Sequence, residues 1–280
     1  MSANALQRAG QWFFYSRIAE ALFVNVWYSL VAKLDRDGSE TFMNYGYAAL
    51  DESEPALPER FAVHRCAVQL YRHVALCADV RDKTVLEVGC GRGGGASYVA
   101  GELGPRRYVG LDVNATAIAF DRARYRGVPN LEFVCGDAHA LPFPDASFDA
   151  VLNVESSHHY RDLAAFLAEV RRVLVPGGTF VMACFPRRNE MEGLRRPLDS
   201  AGFELVLEED ITANVVRALE LDSARRTDAV QRLCPAPLRT FGREFAGVRG
   251  SELYDSFASG KRRYLNFVLR APAAGGAQSP

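Results

Sequence analysis

The stretch Val85-Leu86-Glu87-Val88-Gly89-Cys90-Gly91-Arg92-Gly93-Gly94-Gly95 constrains this chain more than any other. Its first residues read as a buried strand, and the glycines that follow demand a turn whose backbone lies close against its surroundings. A helical pattern over Ala96–Leu103 completes the unit. Strand, glycine turn and helix in this order build α/β sheets whose ligands bind outside the carboxyl ends of the strands.

The middle of the chain keeps alternating. Short β-branched or aromatic runs predict strands at Thr84–Val88, Tyr108–Leu111, Leu131–Val134, Phe148–Asn153, Thr179–Cys184, Phe203–Leu207 and Tyr264–Leu269. Ala115–Tyr125 and Leu163–Leu174 carry helical periodicity and supply crossover helices. Pro176-Gly177-Gly178 is expected to stop the second of these and turn the chain into the fifth strand. The reading is one domain over 1–280, comprising an N-terminal helical lid segment (1–81), a ligand-binding core (82–210), a helical, Arg-rich insertion (211–263), a last strand (264–270) and a loose tail (271–280).

With 33 basic and 34 acidic residues the net charge is -1, so no overall field draws the chain to nucleic acid or an anionic membrane. Cys66, Cys77, Cys90, Cys135, Cys184 and Cys234 form no C-x-x-C pair, so neither a disulfide framework nor a metal site is expected. No secretory leader pattern opens the sequence, which points to the cytoplasm. Trp12–Ala32 is long and aromatic enough to suggest a membrane span, but Arg17, Glu20 and Asn25 interrupt it. It reads instead as an amphipathic helix that packs over the site or against a second copy in a homo-oligomer, with membrane contact a weaker third reading.

Acidic residues close successive strands. Asp112, beside Val113, lies 21 residues after Gly91, where a carboxylate can accept from both hydroxyls of a ribose. Asp137, in Gly136-Asp137-Ala138, lies 25 residues further on and can read an adenine's amine. Glu87 is placed to hold the N–H groups of the glycine loop, or water near the amino-acid end of the ligand. Cys90 sits inside that loop, where a small side chain filling a tight space is the plainer account. Tyr45, in Asn44-Tyr45-Gly46-Tyr47, either reaches across the ligand or simply packs. The basic run Arg187-Arg188 with Arg195-Arg196 is a solvated face more often than an anion site.

Glu87-Val88-Gly89-Cys90-Gly91-Arg92-Gly93, Gly110-Leu111-Asp112, Gly136-Asp137-Ala138 and Leu174-Val175-Pro176-Gly177-Gly178 resemble, in order and spacing, the motifs of class I methyltransferases. Asn153-Val154-Glu155-Ser156-Ser157-His158 and Gly242-Arg243-Glu244-Phe245-Ala246-Gly247-Val248 are similar to the phthiotriol/phenolphthiotriol dimycocerosate methyltransferase group, over most of the chain. The resemblance implies a Rossmann-like, seven-stranded, mostly parallel sheet of order 3-2-1-4-5-7-6, covered by N-terminal helices and a helical insertion that form a substrate lid. It implies S-adenosyl-L-methionine as cofactor, held by Glu87, Gly89, Cys90, Gly91, Gly93, Asp112, Val113, Asp137, Ala138, Asn153 and Tyr45. It also implies a lipid or polyketide-like small-molecule acceptor methylated on a hydroxyl.

Arg92 and His159 depart from that group's pattern near the methyl-transfer end, so the acceptor stays open. Methyl transfer needs in-line approach and exclusion of water more than acid–base chemistry. A hydroxyl still gains from a base, for which His158 and His159 are the candidates, with Glu155 orienting a histidine or binding the acceptor; a loop histidine and a solvated carboxylate are the plainer alternatives. Carbon methylation of an isoprenoid or indole, with cyclisation as a variant, would give Glu155 and the tyrosines the larger part. A cofactor-binding scaffold without turnover is the remaining reading.

Overall fold

The computed structural model describes residues 34–273, apart from Arg36, Glu52 and Glu54; the aromatic helix expected over Trp12–Ala32 and the tail from 274 lie outside the described residues. In chain order the strands are β1 (Thr84–Val88), β2 (Arg107–Asp112), β3 (Leu131–Cys135), β4 (Phe148–Val154), β5 (Leu174–Cys184), β6 (Glu204–Asp210) and β7 (Leu265–Arg270). The helices are α1 (Arg65–Cys77), α2 (Gly94–Glu102), α3 (Ala115–Arg124), α4 (Leu163–Val173), α5 (Met191–Ser200), α6 (Thr212–Leu221), α7 (Ser223–Leu233), α8 (Arg239–Phe245) and α9 (Glu252–Ala258).

The seven strands form one sheet of order β3-β2-β1-β4-β5-β7-β6. Only β7 runs antiparallel to its neighbours. Both faces are covered, which is why the central strands are near-continuous apolar runs rather than alternating ones. Val85, Tyr108, Ala150, Leu152 and Val181 meet α1 and α2 on one face. Leu86, Val88, Val109, Val151, Phe180 and Met182 meet α4 and the leucines of α5 on the other. Asn114 starts α3 by accepting from the N–H groups of Thr116 and Ala117, so β2 ends in a capped helix.

Two strand boundaries differ from the sequence reading by more than one residue. β5 begins at Leu174 rather than Thr179, because Leu174 pairs with Phe148 as soon as α4 ends. The next pair is Ala150 with Thr179, so Val175 to Gly178 loop out as a bulge, with Gly177 at φ +77°. β6 runs on to Asp210 because its pairing with β7 continues to Leu265. The sheet order reverses direction between β1 and β4, and open α/β sheets hold ligands at such a switch point.

Candidate active site

Each glycine of the β1–α2 turn does a different job. Gly89, at φ +83°, donates to the carbonyl of Leu111 at 2.7 Å, and a Cβ there would lie 2.0 Å from Ser156 Oγ. The turn is therefore pressed against the loop that follows β4. Gly95 is closed too, since a Cβ would sit 1.9 Å from the Tyr71 ring. Gly95→Ala should lower stability by about 1–3 kcal/mol through overpacking, measured by chemical denaturation. Gly91 differs: at φ +58° it has nothing within 4 Å of a Cβ. Its N–H donates to Asp112 Oδ2 at 2.9 Å.

Asp112 is thus held at the mouth of the turn, with Oδ1 accepting from the Asn114 N–H at 2.9 Å. Burial pushes its carboxyl up, and backbone N–H groups of Asn114, Gly91 and Val113 pull the other way. Val113 beside it leaves an apolar side chain 68% exposed. Cys90 is buried, and a Cβ on Gly110 would meet its sulfur at 3.1 Å. Burial and the nearby Glu87, Asp112 and Asp121 carboxylates raise the thiol well above the usual range, so it fills space and is no nucleophile.

Glu87 does not hold the loop N–H groups expected of it. Tyr71 and Tyr108 each donate a hydroxyl to its carboxylate at 2.8 Å. Register explains this: Tyr108 pairs with Val85, which shares a sheet face with Glu87. Full burial raises Glu87 to about 7, against the two tyrosine hydrogen bonds. Asp137 lies two residues past the end of β3, half exposed, where its Oδ1 accepts from the backbone N–H of His139 at 2.9 Å and meets that residue's Nδ1 at 2.6 Å. These contacts hold its carboxyl below the usual range. Ala138 beside it is buried.

On the far side of the cleft, Asn153 spends both amide protons, on the Val88 carbonyl at 2.9 Å and on Tyr160 Oη at 3.0 Å. Its Oδ1 accepts from the Ser157 N–H. It ties the loop after β4 to the end of β1. Glu155 follows in the left-handed region at φ +51°, a strained conformation for a non-glycine residue. Its Oε1 accepts from the Tyr45 N–H and the Tyr264 hydroxyl, both at 2.8 Å. Oε2 takes neither. Burial pushes this carboxyl up to about 7.

Tyr45 therefore lies on the Glu155 side rather than across the glycine loop, its ring 5.2 Å from Phe185 and 5.9 Å from Phe257. His158 faces Phe185 at 4.2 Å and His159 at 3.9 Å. His158 opens onto solvent, yet the protein massed around it, with His159 and Arg262, holds its imidazole well below the ordinary range. Burial brings His159 down to about 4. The sequence reading missed Tyr71, Tyr108, Phe185, Phe257 and Tyr264. Phe185 and Tyr264, flanking the ends of β5 and β7, carried a readable signal as aromatics at strand ends.

The geometry joins a glycine cradle, a carboxylate at its lip and, across the switch point, an aromatic-walled carboxylate. The Methyltransferase domain family matches residues 86–182. The phthiotriol/phenolphthiotriol dimycocerosates methyltransferase of Mycobacterium tuberculosis is 39% identical over 266 residues, which covers 95% of this chain and 96% of that protein. The chain belongs to that family of class I methyltransferases. The methyltransferase is also 40% identical over 238 residues to a fatty-acid O-methyltransferase of Mycolicibacterium smegmatis, covering 85% of this chain and 86% of that one. Among solved structures, the cyclase SpnF is similar at a TM-score of 0.68 and 25% identity, covering 90% of this chain and 96% of SpnF. A cyclase on the same framework shows that chemistry is set by the site and not by the fold. Among the described residues, no helix is long and apolar enough to cross a membrane, and no cluster of histidine, cysteine and carboxylate side chains is arranged to hold a metal.

Proposed function

We propose that this methyltransferase moves the methyl group of S-adenosyl-L-methionine onto a hydroxyl of a bulky, largely apolar acceptor, such as a lipid or polyketide. Glu155 is the observation that carries the reading. Its half-buried carboxyl has one oxygen fixed by Tyr45 and Tyr264 and sits at about 7, where a general base is most effective near neutral pH. A hydroxyl acceptor needs such a base. A fatty acid presents a carboxylate that needs none, and that Glu155 would repel. His158 and His159, depressed as they are, are the weaker bases and serve as walls of the acceptor site.

The residues fit the cofactor. The space that a Cβ would take at Gly91 is open, and the exposed Val113 offers an apolar surface beside the Asp112 carboxylate. The backbone of Gly89, Cys90, Gly91 and Gly93 would line it, Asp112 would take the ribose hydroxyls, and Asp137 with Ala138 the adenine. Glu87, behind its tyrosines, would supply negative potential near the amino-acid end. When bound, the cofactor supplies an electrophilic methyl on a sulfonium centre. Gly91→Ala should cost about 1–2 kcal/mol of stability, because a side chain at φ +58° is strained even in open space, and should block the cleft, so S-adenosylhomocysteine binding should be lost in calorimetry.

Residues 35–48 and helices α6 to α9 would close over the acceptor and exclude water. Behind Tyr45, a cavity of about 90 Å³ is lined by Phe42, Met43, Val230, Leu233 and Phe245 and extends the apolar wall. The test is tritiated methyl transfer to a long-chain alcohol and to the matched fatty acid. Label in an alkali-stable ether supports the reading; label only in a base-labile ester contradicts it.

A further inference from the structure

Residues 35–48 carry no helix or strand among the described residues and form a strap across the cleft. One end meets the glycine loop. Arg92 reaches Asp35 at 3.0 Å, and the Thr41 carbonyl lies 2.6 Å from where a Gly94 Cβ would be. The other end meets the acceptor wall, where the Tyr45 N–H sits on Glu155 and Arg226 holds the carbonyls of Asn44 and Tyr45. The strap thus spans the carboxyl edges of β1 and β4, and a ligand bound between them requires it to lift.

Lifting breaks the contact between Arg92 and Asp35. The Arg92 side chain is only 6% exposed, and a buried guanidinium left without a counter-charge is costly. Its plane lies 4.4 Å over Phe120 on α3. Asp121, the next residue, is fully buried with both carboxylate oxygens lacking a hydrogen-bond partner. Arg92 Nε and Nη1 lack partners as well. Two unused donors and two unused acceptors in neighbouring buried groups are rare in a folded protein and point to an arrangement held in reserve.

We propose that Asp121 is a second seat for the Arg92 guanidinium, taken when the strap lifts off the glycine loop. Burial, with Asp112 and Glu87 nearby, pushes the Asp121 carboxyl up to about 8 against the pull of Arg92. With the strap down Asp121 is therefore neutral at pH 7 and tolerates its lack of partners. With the strap up it gives its proton to solvent and pairs with Arg92. That this movement admits the cofactor rests on the function proposed above; the movement itself is measured without cofactor, so the two can fail separately.

Hydrogen–deuterium exchange of the ligand-free chain, read over residues 37–48, tests it. Asp121→Asn matches the neutral form, so it leaves the closed strap intact and removes the second seat; strap exchange should slow about tenfold. Asp35→Asn should speed it. Unchanged or faster exchange in Asp121→Asn overturns the proposal. Carboxyl carbon NMR at pH 7 gives an independent reading should Asp121→Asn not fold. Asp121 should be protonated in the wild type and ionised in Asp35→Asn, and a protonated Asp121 in both overturns the proposal equally.

Discussion

Replacing Glu155 by glutamine should lower kcat by about 10²–10⁴-fold while leaving S-adenosylhomocysteine affinity within about twofold, as expected for removal of a general base. Glutamine keeps an oxygen to accept from the Tyr45 N–H and the Tyr264 hydroxyl, so the wall should stand. The same substitution should stabilise the protein at pH 8. Burial raises the Glu155 carboxyl from 4.5 to about 7, so the folded state holds a proton that the unfolded chain releases. The stability this contributes is complete below about 4.5 and is lost as pH rises through about 7. Glutamine has no such loss, and thermal unfolding of the two proteins at pH 5 and pH 8 should show the gap open at the higher pH. Equal kcat in Glu155→Gln and wild type would remove Glu155 from the mechanism.

Asp112→Ala should weaken S-adenosylhomocysteine binding by about 10²–10⁴-fold in calorimetry. Two charge-assisted hydrogen bonds to ribose hydroxyls, each worth about 1.5–3 kcal/mol, would be lost. The carboxylate also secures the N–H groups of Gly91 and Asn114, so the cradle itself should loosen. Near-native affinity would show that Asp112 does not face the ribose.

The sheet and the glycine turn were legible because their signals are local. The glycine turn follows its strand directly, and Asp112 and Asp137 lie at strand ends that β-branched runs had already marked. Chemistry that depends on distant partners was not legible. Glu155 reads equally as a site residue or a solvated strand-end carboxylate until Tyr45 and Tyr264, 110 and 109 residues away, are folded onto it. Glu87 looked like a loop holder because its register with Tyr108, through Val85, exists only once the sheet forms. Arg226, in the Arg-rich insertion, carries no local signal of burial, yet it is buried and binds Asp222, the Ala246 carbonyl and the carbonyls of Asn44 and Tyr45. Arg195 and Arg196 do behave as surface charges, paired with Glu208 and Glu192.

Of these proposals, the one for Glu155 bears most on the reaction, because a base titrating near neutrality would separate hydroxyl from carboxylate acceptors. The decisive measurement is the single-turnover rate of methyl transfer to a long-chain alcohol as a function of pH. The rate should climb with pH through about 7 and then level off as Glu155 ionises, with Glu155→Gln flat over the same range. A wild-type rate independent of pH between 5 and 9 would contradict the account.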